Sequence, residues 1–404
     1  MLHLPHRRAA LLALLVIASA VALTPAGSAA RGVSPPRHAP VGAPVHGAGP
    51  AAAAVAYLQA RARAVLGAAQ ARALAACCRP GVPLAHRELI MAAGARRLNA
   101  ALGRTATAVS CHVAIGAVRL DAAAGTATVS AHAVTLETWT GRDGRADAEG
   151  EGLDHVLTLV RTHGGWLVVR DTYSCDTAPR LLQAGGAPAA VVTAASRGLE
   201  KRARSLPAAV AATGAQTASP VDPPATPTVQ APDGSSLGYV AKITFDRDAA
   251  KAYADKYALS YNPTYTSFSA DCANFGSQVM LAGGYPPFGS TYASGWWYDK
   301  NGTNSPGDDS YSHAWIAVTN QQGAWNLKYT DFVSSIGSVG KGDYVYYDWT
   351  GDGTWDHVAE LVGTNSAGQK IVDAHTTDHY HVFWKLGTSA TRYRFAHTVA
   401  TVTI

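Results

Sequence analysis

Two rhythms of apolar residues run along the first half of the chain. From Ala51 to Ala76 the sequence is rich in alanine, with Leu58, Val65 and Leu66 spaced for one face of a helix. Arg61, Arg63 and Arg72 fall outward on that spacing, and a second helical stretch runs from about Leu84 to Leu102. The period then drops to two. Val113–Leu120, Thr126–Thr138, Leu153–Thr162 and Trp166–Tyr173 alternate apolar and polar side chains, the signature of half-buried strands. Turns containing glycine punctuate this meander at 124–125, 141–144 and 164–165. Two helices followed by a meander predict a small α+β domain with its helices on one sheet face.

The pattern restarts near Tyr239. Asp246 or Asp248 is placed to cap a helix running to about Tyr257, and Asn262-Pro263 breaks the chain. Asp271 to Ala282 reads as the next helix, with Phe275, Val279 and Ala282 as its apolar stripe and Gly283-Gly284 as its end. Strands are expected over His313–Thr319, Tyr344–Trp349, His357–Val362, Lys370–His375 and Arg392–Phe395. Helices followed by an antiparallel sheet is again an α+β plan.

Between the two patterns lies a segment, 206–236, with Pro207, Pro220, Pro223, Pro224, Pro227 and Pro232 among Ala, Thr, Ser and Gly. It reads as a semi-extended linker. Composition changes across it. Residues 31–205 balance to +9, with Arg as nearly every base, and residues 206–404 balance to −6. Seven of the nine tryptophans lie beyond residue 290. Two domains, 51–205 and 237–404, explain this contrast better than one.

The chain opens with Arg7 and Arg8, an apolar stretch from Ala9 to Leu23 and a small-residue run at 26–30. That is the plan of a secretory signal peptide over 1–30, with a disordered leader over 31–50 behind it. The expectation is a secreted, extracellular product with no membrane attachment after cleavage. Loss of Arg7 and Arg8 leaves a net charge of +3, too mild to point to nucleic acid.

Export makes the five cysteines informative. Cys77, Cys78, Cys111 and Cys175 precede the linker, and a bridge between Cys111 and Cys175 is plausible at a sheet edge. Cys272 is alone in its domain, and an odd thiol in an exported protein suggests reactivity. At a helix start, unpaired N–H groups and the helix dipole are expected to lower its pKa. Its own N–H is a natural oxyanion donor. A cysteine nucleophile needs a base and the base needs an orienter. His357 begins a strand after an Asp- and Gly-rich turn, and His375 ends the next strand with Asp373 two residues earlier on the same face.

Other clusters carry weaker expectations. Asp348, Thr350, Asp352 and Asp356 have the spacing of the first part of a Ca²⁺ loop, although Ala359 stands where the bidentate carboxylate belongs. No cofactor is required by the chemistry; a structural Ca²⁺ is the one candidate. His375, Asp378, His379 and His381 have metal-like spacing that strand alternation also explains. Trp296, Trp297 and Trp315 are candidates for a substrate groove, with core packing as the simpler account.

Several stretches resemble a known family. "YADKYALSYNPTY" (253–265), "DCANFGSQVMLAGG" (271–284), "WWYD" (296–299), "SHAW" (312–315), "GDYVYYDWTGDGTWDHVAELVG" (342–363) and "DAHTTD" (373–378) look like the pattern of the putative amidase domain. That family is related to the papain-like amidases and peptidases of the NlpC and CHAP types. The resemblance implies a papain-like fold, Cys272 as nucleophile, His357 as base and His375 as third member, with Asp373 as the alternative. It places Asp271, Asn274 and Gln278 as oxyanion or support residues. Gly276 departs from the pattern, where a larger apolar residue is expected. The implied activity is acyl transfer on an amide-bearing substrate, with peptidoglycan peptides suggested by export and by analogy. A non-catalytic protein binding wall or partner on the same fold is the alternative. The first domain resembles the cone-shaped domains related to nuclear transport factor 2 by element order alone.

Overall fold

The alanine-rich start forms α1 (Pro50–Arg63) and α2 (Ala68–Cys77), and α3 spans Pro83–Ala101. The single long helix expected over 51–76 is broken at Gly67, whose φ of 140° only glycine adopts easily. Arg61 does not face outward. Its Nε donates to Glu88 Oε2 at 2.9 Å, because a carboxylate as buried as Glu88 needs a cation. The computed structural model describes residues 49–199, 201, 242–303 and 305–403. The expected signal peptide, nearly all of the leader and the whole linker lie outside these residues.

The strands that follow are long: β1 (Thr105–Asp121), β2 (Thr126–Thr140), β3 (Ala146–Thr162) and β4 (Gly165–Thr172), then α4 (Ala178–Gly185). β1 begins eight residues before Val113, in a Thr/Ala stretch too weakly apolar for alternation to flag. β5 (Lys242–Thr244) leads into α5 (Arg247–Tyr257). Asp246 is the cap of α5, accepting from the N–H groups of Asp248 and Ala249 at 2.9 Å each.

The helix expected at Asp271 is α6 (Cys272–Ala282), buried from Cys272 through Met280. Two small hairpins follow, β6 (Phe288–Thr291) with β7 (Ser294–Trp296) and β8 (Tyr298–Asp299) with β9 (Ser310–Tyr311). The strand expected over 313–319 is helical instead, as α7 (His313–Ile316) and α8 (Val318–Asn326). Its apolar run, Ala-Trp-Ile-Ala-Val, is continuous rather than alternating, and Trp315 and Ile316 are both buried. A strand would have turned one of them away.

The remaining strands are β10 (Thr330–Val333), β11 (Asp343–Asp348), β12 (His357–Thr364), β13 (Lys370–Ala374), β14 (Asp378–Phe383), β15 (Arg392–Thr398) and β16 (Thr401–Thr403). β16 pairs with β5 in a small sheet of its own, and the others form, with the early strands, one antiparallel sheet in the order β1-β2-β3-β14-β13-β12-β11-β15-β10, with β4 also on β3. The fold is α+β. The two compositional halves meet at β3 and β14, in the pairs Gly152–Asp378, Glu151–His379 and Gly150–Tyr380. The described residues accordingly fall within one compact unit. Among the described residues no helix is long and apolar enough to cross a membrane.

The later part of the sheet is covered on both faces. One face, carrying Tyr344, Tyr346, Val358 and Val362, packs under α6 with Trp296, Trp315 and Trp325. The opposite face carries Val345, Tyr347, Ala359, Leu361, Val372 and Ala374 with Trp349.

Candidate active site around Cys272

Cys272 is the first residue of α6 and is only 3% exposed. Its N–H and that of Asp271 both donate to the Thr376 hydroxyl, at 3.1 and 2.9 Å. The oxyanion donor expected from the sequence is thus already engaged. Thr376 adopts a φ of 87°, a left-handed conformation costly for a β-branched residue. Two buried helix-start N–H groups needing an acceptor account for holding it there. The sulfur accepts from the Val358 main chain and lies beside Thr376. Burial outweighs these contacts, and the nearby Asp271 charge adds to it. The thiol is pushed up to about 11, not lowered as a helix start alone would have it.

Asp271 is fully buried and fully bonded. Oδ1 accepts from Phe268 N at 2.8 Å and Asn274 Nδ2 at 2.9 Å, and Oδ2 takes His375 Nδ1 at 2.7 Å. His375 also donates from Nε2 to the Tyr257 carbonyl at 2.8 Å, and its ring stacks on Phe275 with centroids 4.0 Å apart. Nδ1 faces the Asp271 carboxylate while Nε2 donates to a carbonyl, an arrangement that favours the charged imidazolium. Burial opposes that charge, but the Asp271 contact outweighs it and His375 is raised.

His357 is also buried, at the start of β12. It stands opposite Tyr347, and its ring lies against Tyr347 and Trp349 at centroid distances of 5.4 and 5.3 Å. Strand alternation puts that ring on the face of Ala359 and Leu361, whereas Val358 belongs to the face under α6. The main chain of β12 therefore reaches Cys272 while the His357 ring points to the other side of the sheet. His375 and Asp373 do lie on the Cys272 face, but neither serves as the orienter of His357. Asp373 Oδ1 accepts from His381 N at 2.6 Å, and His375 is committed to Asp271.

The support residues behave as a scaffold. Asn274 donates to Thr266 O at 2.9 Å and accepts from Trp315 Nε1 at 2.8 Å, and Gln278 accepts from Tyr253 OH. Trp296, Trp297 and Trp315 do not line a groove. All three are buried, Trp296 stacks on Trp315 at 5.0 Å, and Trp296 Nε1 donates to Ser277 Oγ at 2.8 Å. Trp296 and Trp315 pack against α6 and help hold it over the sheet, while Trp297 bonds Thr291 and Ser312.

The expected Ca²⁺ loop closes on itself. Asp348 accepts from the N–H groups of Gly351, Asp352 and Gly353 at 2.7, 3.1 and 2.8 Å, and Asp356 from Trp349 N at 2.8 Å. These carboxylates bond main-chain donors within a tight turn, and Thr350 contacts Asp348 as part of it. The Cys111–Cys175 bridge is absent as well. Cys175 Sγ lies 3.2 Å from Glu151 Oε1 and 3.0 Å from Thr177 Oγ1, and Cys111 Sγ faces the Leu58 carbonyl. All five cysteines are free.

A cleft of about 420 Å³ opens beside Thr376. Phe268, Tyr261 and Asp378 line it from the later part of the chain, and His132, Gly152 and Asp154 from the earlier part. His132 Nδ1 lies 2.8 Å from Asp154 Oδ1. Neither Thr376 nor these earlier residues stood out as site residues in the sequence. The His-Thr pair at 375–376 was the available signal for Thr376.

The comparisons bear on this same segment. Residues 244–398 match the family model described as a putative amidase domain. A protein of Bacillus subtilis (strain 168), the uncharacterized protein YhbB, is 30% identical over 161 residues, which cover 38% of this chain and 50% of that protein. The chain therefore spans about half the length of the curated relative it matches. No solved structure matches. The matched segment contains Cys272, His357 and His375 and supports an amide hydrolase at the level of reaction class.

Proposed function

We propose that the chain is a secreted, cysteine-dependent amide hydrolase of papain-like type, with cell-wall peptides as its substrate class. The observation that carries this reading is the setting of Cys272. It is the only cysteine within residues 244–398, heads a buried helix, and has its sulfur against β12 and its helix start braced by Asp271 and His375. Braced helix starts and buried tryptophans hold a reacting sulfur in place, as acyl transfer demands.

In this reading His357 removes the thiol proton after turning about its own backbone onto the Cys272 side, a change confined to the first residue of a strand. The thiolate attacks the amide carbonyl and forms a thioester. His357 returns its proton to the leaving amine, and water releases the acid. Displacement of the Thr376 hydroxyl would free the Cys272 N–H for the oxyanion. His375 positions α6 through Asp271 and does not touch the reacting atoms.

The test is release of new amine or carboxylate from purified peptidoglycan. Wild-type protein is expected to release it, Cys272→Ala to abolish release, and His357→Ala to slow it by roughly 10² to 10⁴. Full activity in Cys272→Ala overturns the reading. One observation favours the non-catalytic alternative, namely the high thiol pKa with His357 on the far face. Wall binding by wild type without any release would decide for it.

A further inference from the structure

A second cluster lies on the face of the sheet under α5, apart from the Cys272 chemistry. Asp255 comes from α5, Glu360 from β12, Asp373 from β13 and His381 from β14. A carboxylate oxygen of Asp255, one of Asp373 and a ring nitrogen of His381 lie within 4.8 Å of one another. Asp255 Oδ1 sits 2.9 Å from His381 Nε2.

Glu360 is the observation that makes this more than an acidic patch. It stands directly opposite Asp373 in the β12–β13 register, on the same face, and is 1% exposed. Neither of its oxygens has a hydrogen-bond partner among the described residues, nor does Asp373 Oδ2. A buried carboxylate oxygen without a hydrogen bond is costly, and three such oxygens lie on these two register partners. Asp255 pairs with Lys251 and His381. Burial and repulsion from Asp373 and Asp255 push Glu360 up, and burial pushes Asp373 up as well.

We propose that Asp255, Asp373 and His381, backed by Glu360, bind one divalent cation of the zinc class. One imidazole nitrogen among carboxylates suits a borderline cation better than Ca²⁺, which takes six to eight oxygens. The side chains of Asp255 and His381 are 30% and 18% exposed, so the ion enters from their side while Asp373 and Glu360 form the buried wall. Binding ties α5 to three neighbouring strands.

The test uses the full chain carrying Cys272→Ser, so that metal on the thiol makes no contribution. Zn²⁺ alone is titrated by calorimetry and by thermal unfolding. One site per chain is expected, with a raised unfolding midpoint, and its affinity should fall tenfold or more in both His381→Ala and Asp255→Asn. These two substitutions sit at the exposed rim, so folding is retained. Ca²⁺ at equal concentration should leave the midpoint in place. Absence of the site, equal Zn²⁺ affinity in the rim variants, or equal stabilisation by Ca²⁺ overturns the proposal. None of these outcomes depends on whether Cys272 hydrolyses amides.

Discussion

At the residue scale, the environment of Cys272 sets its reactivity. A thiol raised to about 11 is almost wholly protonated at neutral pH. Because the thiolate is the nucleophile, its alkylation by iodoacetamide should climb nearly tenfold per pH unit from pH 7.5 to 9.5, with no plateau near 8.5. A plateau below pH 9 would show that the protein samples a state in which His357 reaches the sulfur. Thr376 is the second residue with a measurable role. Thr376→Ala keeps the strained backbone but strips the acceptor from two buried N–H groups. A loss of roughly 1–3 kcal/mol in urea denaturation is expected. Thr376→Gly should lose less, because glycine relieves the positive φ. Equal losses would mean that strain is not part of the cost.

At the element scale, α6 has room at Gly276, where a larger apolar residue was expected. A Cβ on Gly276 would meet Gln321, Trp325 and Tyr344 at 3.7 Å, ordinary contact distance. Gly276→Ala is therefore expected to stabilise by about 0.5–1 kcal/mol through helix propensity, read as a shift of the denaturation midpoint. Gly152 is the opposite case. A Cβ there would lie 3.0 Å from Asp378 Cβ, where β3 and β14 pair. Gly152→Val should loosen that junction and speed amide hydrogen exchange at 378–380 while leaving β11–β12 protected. Unchanged exchange would show that the pairing absorbs the bulk. Periodicity identified α5 and α6 because Asp246 and Gly283-Gly284 bound them, and β11 to β13 because each is a short, largely apolar run set off by turn residues. It failed over 313–319, where an uninterrupted apolar run fits helix and strand equally.

At the scale of the whole molecule, buried histidine–carboxylate pairs tie distant segments together. His379 Nε2 meets Asp176 Oδ1 at 2.6 Å across the β3–β14 junction, and His375 meets Asp271 beside Cys272. Burial disfavours both imidazolium forms, but the carboxylates outweigh it and raise both histidines. The sign follows from linkage. Their stabilisation is complete below the unfolded pKa of about 6.5 and is lost as pH rises through the raised folded values. The urea midpoint should thus fall above neutrality, and His379→Asn should flatten that slope. A slope unchanged in this variant would assign the pH dependence elsewhere. Because one sheet runs through both compositional halves, calorimetry should show a single unfolding transition. Two separated transitions would mean that three residue pairs are too few to couple the halves.

What the chain determined by itself is local: a cap at Asp246 or Asp248, the helix whose first turn holds Cys272, the alternation of the early strands, and the family-like blocks around Cys272, His357 and His375. These follow from propensity and period, which act over a few residues. What the tertiary structure decided is everything that depends on which face meets which neighbour. Parity along β12 turned the His357 ring away from the sulfur. Burial reversed the direction of the Cys272 pKa, Asp271 rather than His357 claimed His375, and the tryptophans became core. Asp255, Glu360, Asp373 and His381 lie on four different elements, and no spacing in the sequence records that a sheet register and one helix bring them together.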